Sequence, residues 1–317
     1  MGLTAHRVNP KLVFSDQRRV DLTEERSTVK MFLLKILFVL SFIILKELIS
    51  ADGAWAWGPA VHTVISCNII GSCAQILPSI ASIVQSFPHE YIYGGISADF
   101  FIGKGQKKKK GHSHNWETGF KFLSEANNKK EAAYAYGFLS HLAADVIAHN
   151  YFVPDLIHRV SKWKRIGHFY SEAVADRFVD PVYLKILKDV LAMDHLDCDR
   201  MLKSAAVRNS YGLKTKKRIY TQSVKISDYL YCLPVFSDLE ISSSYNVEDE
   251  YMAFMIELSF RLVKDLLSYP DSSACLSHDP IGSDNLRIAR QSGFFARLFN
   301  NRQLSYRFPI AQDLLEL

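Results

Sequence analysis

Leu139-Ser140-His141-Leu142-Ala143-Ala144-Asp145-Val146-Ile147-Ala148-His149-Asn150-Tyr151-Phe152 is the stretch whose reading decides the fold. His141, Asp145 and His149 follow one another at intervals of four residues. On an α-helix each step of four drifts only about 40°, so the three side chains leave one face of one helix. The rest of that face is Leu, Ala, Val and Ile. A lone histidine there would be an ordinary core residue, but an unpartnered Asp among alanines would cost several kcal/mol. Imidazole and carboxylate in register are what Zn²⁺ recruits. The stretch therefore predicts a buried helix that carries metal ligands.

Outward from it the pattern stays helical. The spacing predicts a helix opened by Pro59 with His62 beside Val61, Ile65 and Ile69, and another over Ala74 to Phe87. Pro88 restarts the chain, and Tyr93-Gly94-Gly95-Ile96-Ser97-Ala98-Asp99 is expected to end in a turn that delivers a carboxylate. Gly103 to His114 reads as a loop with the lysine run Lys107 to Lys110 and two histidines, His112 and His114. Helical periodicity returns over Asn115 to Glu125 and Lys130 to Phe152. A further long helix is expected from Gly167 to Val190, with His168 and Glu172 one turn apart. No stretch alternates with period two, so the expected class is all-α. Beyond Asp194 the signal weakens, leaving Tyr251 to Leu267 and an amphipathic Asn285 to Phe299 as the clear helices.

The chain of 317 residues, 48% hydrophobic and 22% charged, is long enough to bury a substantial core. Its net charge of +5 does not by itself argue for nucleic acid, and no stable nucleic-acid complex is expected. Residues 31 to 56 resemble a secretory signal: Met31, an uncharged, mostly apolar run from Ile36 to Leu45, then Ala54-Trp55-Ala56 in the small-x-small pattern of a cleavage site. This implies export to the periplasm or the medium, the alternative being an anchor left uncleaved. The expected organisation is a disordered or spurious extension over 1–30, a signal over 31–56, a hydrolase core over 57–200 and a C-terminal helical region over 201–317. Five cysteines at non-metal spacings leave Cys67 with Cys73 open as a bridge or as reduced core thiols.

Taken in order, Trp57, His62, Asp99, a histidine near 114, His141-x-x-x-Asp145, His149 and Gly167-His168-x-x-x-Glu172 resemble the bacterial zinc-dependent phospholipase C family. That superfamily also contains three-zinc single-strand nucleases. The motif Ser140 to Asp145 with His149 is similar as well to the catalytic region of glycosylphosphatidylinositol-specific phospholipase D. The resemblance covers about residues 57 to 175 and implies a multi-helix bundle with up to three Zn²⁺ ions on its inner helices. It assigns one ion to the amine and carbonyl of Trp57 with His62, and a second to Asp99, His114 and His141. Asp145 would bridge these two, and His149, His168 and Glu172 would hold the third.

Phosphodiester hydrolysis needs a nucleophile at neutral pH, neutralisation of the phosphate and stabilisation of a leaving oxygen, all of which zinc supplies. Asp99 is the candidate for orienting or deprotonating the attacking water, and is otherwise a ligand alone. The four-residue step from Asp145 to His149 is shorter than in the bacterial phospholipases C, which would keep His149 on one straight helix and sets the third ion apart. His114 is preferred over His112 because Trp116 follows it. His195, Asp197 and Asp199 cluster in sequence at a spacing that does not converge on a helix.

The expected function is an exported phospholipase C that acts on phospholipid headgroups, with possible peripheral membrane contact. The alternatives are phospholipase D-type or single-strand nuclease chemistry at the same site, or a non-catalytic zinc-stabilised lipid-binding protein.

Overall fold

The computed structural model describes residues 57–100, 113–159, 175–176, 178–205, 212–231, 249–298 and 308–317, all within one compact unit, Ser50–Leu317. Among these residues there is no β-strand. In chain order the helices are α1 (Pro59–Gly71), α2 (Pro78–Ser86), α3 (Pro88–Ser97), α4 (Trp116–Glu125), α5 (Lys129–Ile147), α6 (Val153–Arg159), α7 (Pro181–Ala192), α8 (Leu196–Ala205), α9 (Leu213–Tyr231), α10 (Asp249–Ser268), α11 (Ser283–Leu298) and α12 (Gln312–Leu315). None of the described helices is long and apolar enough to cross a membrane.

The opening stretch forms the centre. Asn128 caps α5 by accepting from the Glu131 main-chain N–H at 2.9 Å, while the Glu131 carboxylate reaches back to the Asn127 N–H. That reciprocal arrangement resembles a capping box displaced by one residue. From Gly137 to Ile147 every residue of α5 is buried. A helix buried on all sides is a core element, and α3, α4 and α10 pack around it.

Three boundaries depart from the sequence pattern. The α-helix stops at Ile147, and a π-helical turn, Ala148–Phe152, follows in place of one straight helix. Gly94 and Gly95 do not end α3, which runs to Ser97 before a 3₁₀ turn, Ala98–Phe100, delivers Asp99. The helix expected to reach Val190 is interrupted, because Asp180 caps a new helix at Val182 with Pro181 in its first turn.

The crossing of α3 and α5 is unusually close. A Cβ on Gly137 would lie 1.9 Å from the Tyr91 carbonyl oxygen, and one on Gly94 would lie 2.1 Å from that of Tyr134. Glycine on both sides therefore lets the two backbones touch, bringing the end of α3 beside the face of α5 that carries His141 and Asp145. Cys67, Cys73, Cys198 and Cys275 are free thiols, so Cys67 and Cys73 form no bridge; burial pushes the Cys67 thiol up to about 11.

Candidate metal centre

Four elements bring their side chains to one point. α1 supplies His62, the 3₁₀ turn after α3 supplies Asp99, the segment before α4 supplies His114, and α5 with its π turn supplies His141, Asp145 and His149. All six are buried. Asp145 is the hub: its Oδ2 lies 3.1 Å from His114 Nε2, 3.1 Å from His141 Nε2 and 3.5 Å from His149 Nε2, and its Oδ1 lies 3.4 Å from His62 Nε2. Asp99 Oδ1 is 3.3 Å from His114 Nε2 and 3.8 Å from His141 Nε2. Two groups have metal-compatible spacing, His62–Asp99–His141 and His114–His141–Asp145.

The chemistry of this donor set fits zinc. His141 Nδ1 donates to the Gly95 carbonyl at 2.9 Å, so in the neutral ring Nε2 presents a lone pair. That lone pair faces His114 Nε2 at 3.1 Å and two carboxylates. His62 Nε2, Asp145 Oδ1 and His149 Nδ1 are buried without a hydrogen-bond partner. Lone pairs and anionic oxygens that converge out of water repel one another unless protons or a cation lie between them. With zinc–ligand bonds of about 2.0–2.1 Å, tetrahedral ligands stand roughly 3.3 Å apart, close to the separations seen here. The Gly95 carbonyl on His141, and Ser113 Oγ at 3.1 Å from His114 Nδ1, are the outer partners that orient metal-binding imidazoles.

The electrostatics follow. Burial lowers His62 below 6.5, and neighbouring His141 adds to that shift. Burial also opposes charge on His141, but the Asp145 and Asp99 carboxylates outweigh it and raise that ring above 6.5. Burial works against Asp145 as an anion, yet His141 and His149 hold it well below 3.8.

The remaining sequence candidates divide. Trp57 is buried, its indole N–H donating to Ser259 Oγ at 3.0 Å and its ring stacked on Phe152 with centroids 4.6 Å apart. His112, His168, Glu172, the signal at 31–56 and Lys107 to Lys110 lie outside the described residues. His195 turns away: its ring stacks on Tyr93 and Nε2 donates to the Val190 carbonyl at 2.8 Å, while Asp199 accepts from Tyr93 and pairs with Lys217.

Sequence reasoning overlooked Asp176. Its carboxylate accepts from the Val61 main-chain N–H at 3.3 Å, at the start of the helix that carries His62. A Cβ on Gly58 would sit 2.2 Å from Asp176 Oδ1, so glycine makes room for it. The available signal was its position one helical turn beyond Glu172.

Residues 62–233, more than half the chain, match the family described as zinc dependent phospholipase C. The chain belongs to that family. Comparison with curated proteins and with solved structures gives no match. Every candidate ligand from His62 to Glu172 falls inside the matched residues, while Trp57 and the helices from α10 onward fall outside them.

Proposed function

We propose that this member of the family is an exported zinc-dependent phosphodiester hydrolase, a phospholipase C that acts on phospholipid headgroups. The observation that carries the reading is the convergence of His62, Asp99, His114 and His141 on the buried Asp145 carboxylate. His62, Asp99, His114, His141 and Asp145 would hold two ions, with the Trp57 amine and carbonyl completing the set, while His149, His168 and Glu172 would hold a third. Zinc bound there supplies positive charge to the phosphate and lowers the pKa of water to near neutrality.

The protein's own groups do the rest. Asp99 Oδ1 orients the attacking water and accepts its proton, and at 7% exposure it is shielded from bulk solvent. Asp145 fixes the imidazoles through contacts to four of them, and the Gly95 carbonyl holds the His141 tautomer. The water oxygen bonds to phosphorus, the phosphorus–oxygen bond to glycerol breaks, and the glycerol oxygen takes up the proton that Asp99 accepted. Diacylglycerol and the phosphorylated headgroup leave.

The test incubates the zinc-loaded chain that starts at Trp57 with vesicles of common phospholipids. The expected products are phosphorylated headgroup and diacylglycerol, lost in chelator and restored by zinc. Phosphatidic acid with a free headgroup would move the assignment to D-type cleavage. Intact phospholipids alongside cleaved single-stranded DNA would move it to the nuclease branch. Retained zinc without hydrolysis of any phosphodiester would make the protein a zinc-stabilised binding module.

Cleavage after Ala56 is integral to the reading, because only then does Trp57 offer a free amine, with a pKa near 8, in place of a poorly ligating amide nitrogen. Chains that start at Trp57, at Ala56 and at Met31 are expected to differ, the first alone carrying the full zinc complement and full rate. Equal zinc and equal rate in all three would reduce Trp57 to a buried aromatic.

A further inference from the structure

The π turn that carries His149 is held from outside the family-matched residues by the short loop at 278–282 and the first turn of α11. A change from i→i−4 to i→i−5 pairing alters which main-chain groups pair along the rim of the turn. Here Asn150 Nδ2 donates both to the Val146 carbonyl at 2.9 Å and to the Asp279 carbonyl at 2.8 Å. Asn285 Nδ2 in turn donates to the Asn150 carbonyl at 2.8 Å. Between these contacts Gly282, at φ 62°, lies against the His149 main chain; a Cβ there would be 2.3 Å from His149 O and 2.8 Å from His149 Cβ.

The same loop reaches the other ligand segment. The Trp116 indole N–H, two residues beyond His114, donates to the His278 carbonyl at 2.9 Å. The loop is itself braced, because the Asp279 carboxylate accepts from Ile281 N at 3.1 Å and from Ser283 Oγ at 2.5 Å, and His278 pairs with Asp313 at 2.9 Å.

We infer that the 278–282 loop and the first turn of α11 are a positioning clamp for the metal centre, with Gly282 and Asn285 setting the direction of His149 and the His278 carbonyl fixing the approach of His114. The inference rests on the proposed ligand roles of His149 and His114. On a straight helix, drift would have carried His149 further round from Asp145. The wider π turn rotates it back, to 3.5 Å from Asp145 Oδ2, and the clamp stabilises that turn.

The test compares zinc dissociation constants, in chelator-buffered zinc, for the wild-type chain that starts at Trp57, and in that same chain Asn285→Ala, Gly282→Ala and a control, Leu187→Ala, that opens the buried core on α7. Visible spectra of the Co²⁺ forms and thermal melting accompany each. Asn285→Ala and Gly282→Ala are expected to weaken the loosest zinc by about tenfold and to shift the Co²⁺ bands. Leu187→Ala should lower the melting temperature without either effect. If Gly282→Ala fails to fold, Asn285→Ala, which removes only a polar tip, carries the comparison. Wild-type zinc affinity and an unchanged spectrum in the clamp variants would overturn the clamp and leave the centre standing. A wild-type chain that holds no zinc would overturn the centre and the clamp together.

Discussion

Gly137→Ala sets two physical effects against each other. Alanine in a helix interior is worth about 1 kcal/mol over glycine, so intrinsic propensity alone predicts a more stable protein. The new Cβ would lie 1.9 Å from Tyr91 O, 2.8 Å from Tyr91 C and 3.0 Å from Gly95 N, all main-chain atoms that cannot swing aside. Ordinary contact requires the α3–α5 crossing to open by ~1.5 Å, and overpacking of that kind costs roughly 1–3 kcal/mol. The same opening stretches the His141 Nδ1 to Gly95 carbonyl bond from its 2.9 Å. Its loss removes about another 1 kcal/mol.

The net expectation for Gly137→Ala is a destabilisation of about 2 kcal/mol, together with weaker zinc binding because Asp99 at the end of α3 moves with the helix. The assay is urea unfolding of the metal-free protein, paired with a zinc titration. An unchanged or higher urea midpoint would show that the crossing yields at no cost. The steric account of how α3 is delivered to the centre would then be wrong.

Other expectations follow from the same contacts. In the metal-free protein His141 has a raised folded pKa, so its stabilising contribution is complete below 6.5 and is lost as pH rises through the folded value. His62 has a lowered folded pKa, so its neutral form favours folding above 6.5 and this advantage fades as pH falls toward the folded value. Asp145, held well below 3.8, contributes above that value and loses its contribution only as pH falls through its folded pKa. Urea midpoints between pH 6 and pH 8 should therefore fall less steeply in His141→Gln than in wild type; parallel slopes would refute the assignment. Trp57→Phe keeps a ring to stack on Phe152 but leaves Ser259 Oγ without its indole donor, an expected loss of about 1 kcal/mol in thermal or urea unfolding.

The amino-acid order alone determined the all-α class, the central helix and the register of His141 and Asp145, because a four-residue interval on a buried helix is a local property. The order of His, Asp and Glu residues, from His62 through Asp99 and His114 to Glu172, was equally legible and points to the family that residues 62–233 match. Other features belong only to the folded chain. Local periodicity read Gly94 and Gly95 as a turn, whereas Gly137, more than forty residues away, makes them a helix crossing. Periodicity likewise carried a straight helix through His149; the π turn there depends on Asn150, Gly282 and Asn285, and Asn150 stands 135 positions from its Asn285 donor. Asp176 on Val61 and the Gly95 carbonyl on His141 are of the same kind. A helical interval is written in neighbouring residues, but a main-chain group held by a distant side chain leaves no period in the sequence, so the tertiary structure decided how the candidate ligands are aimed.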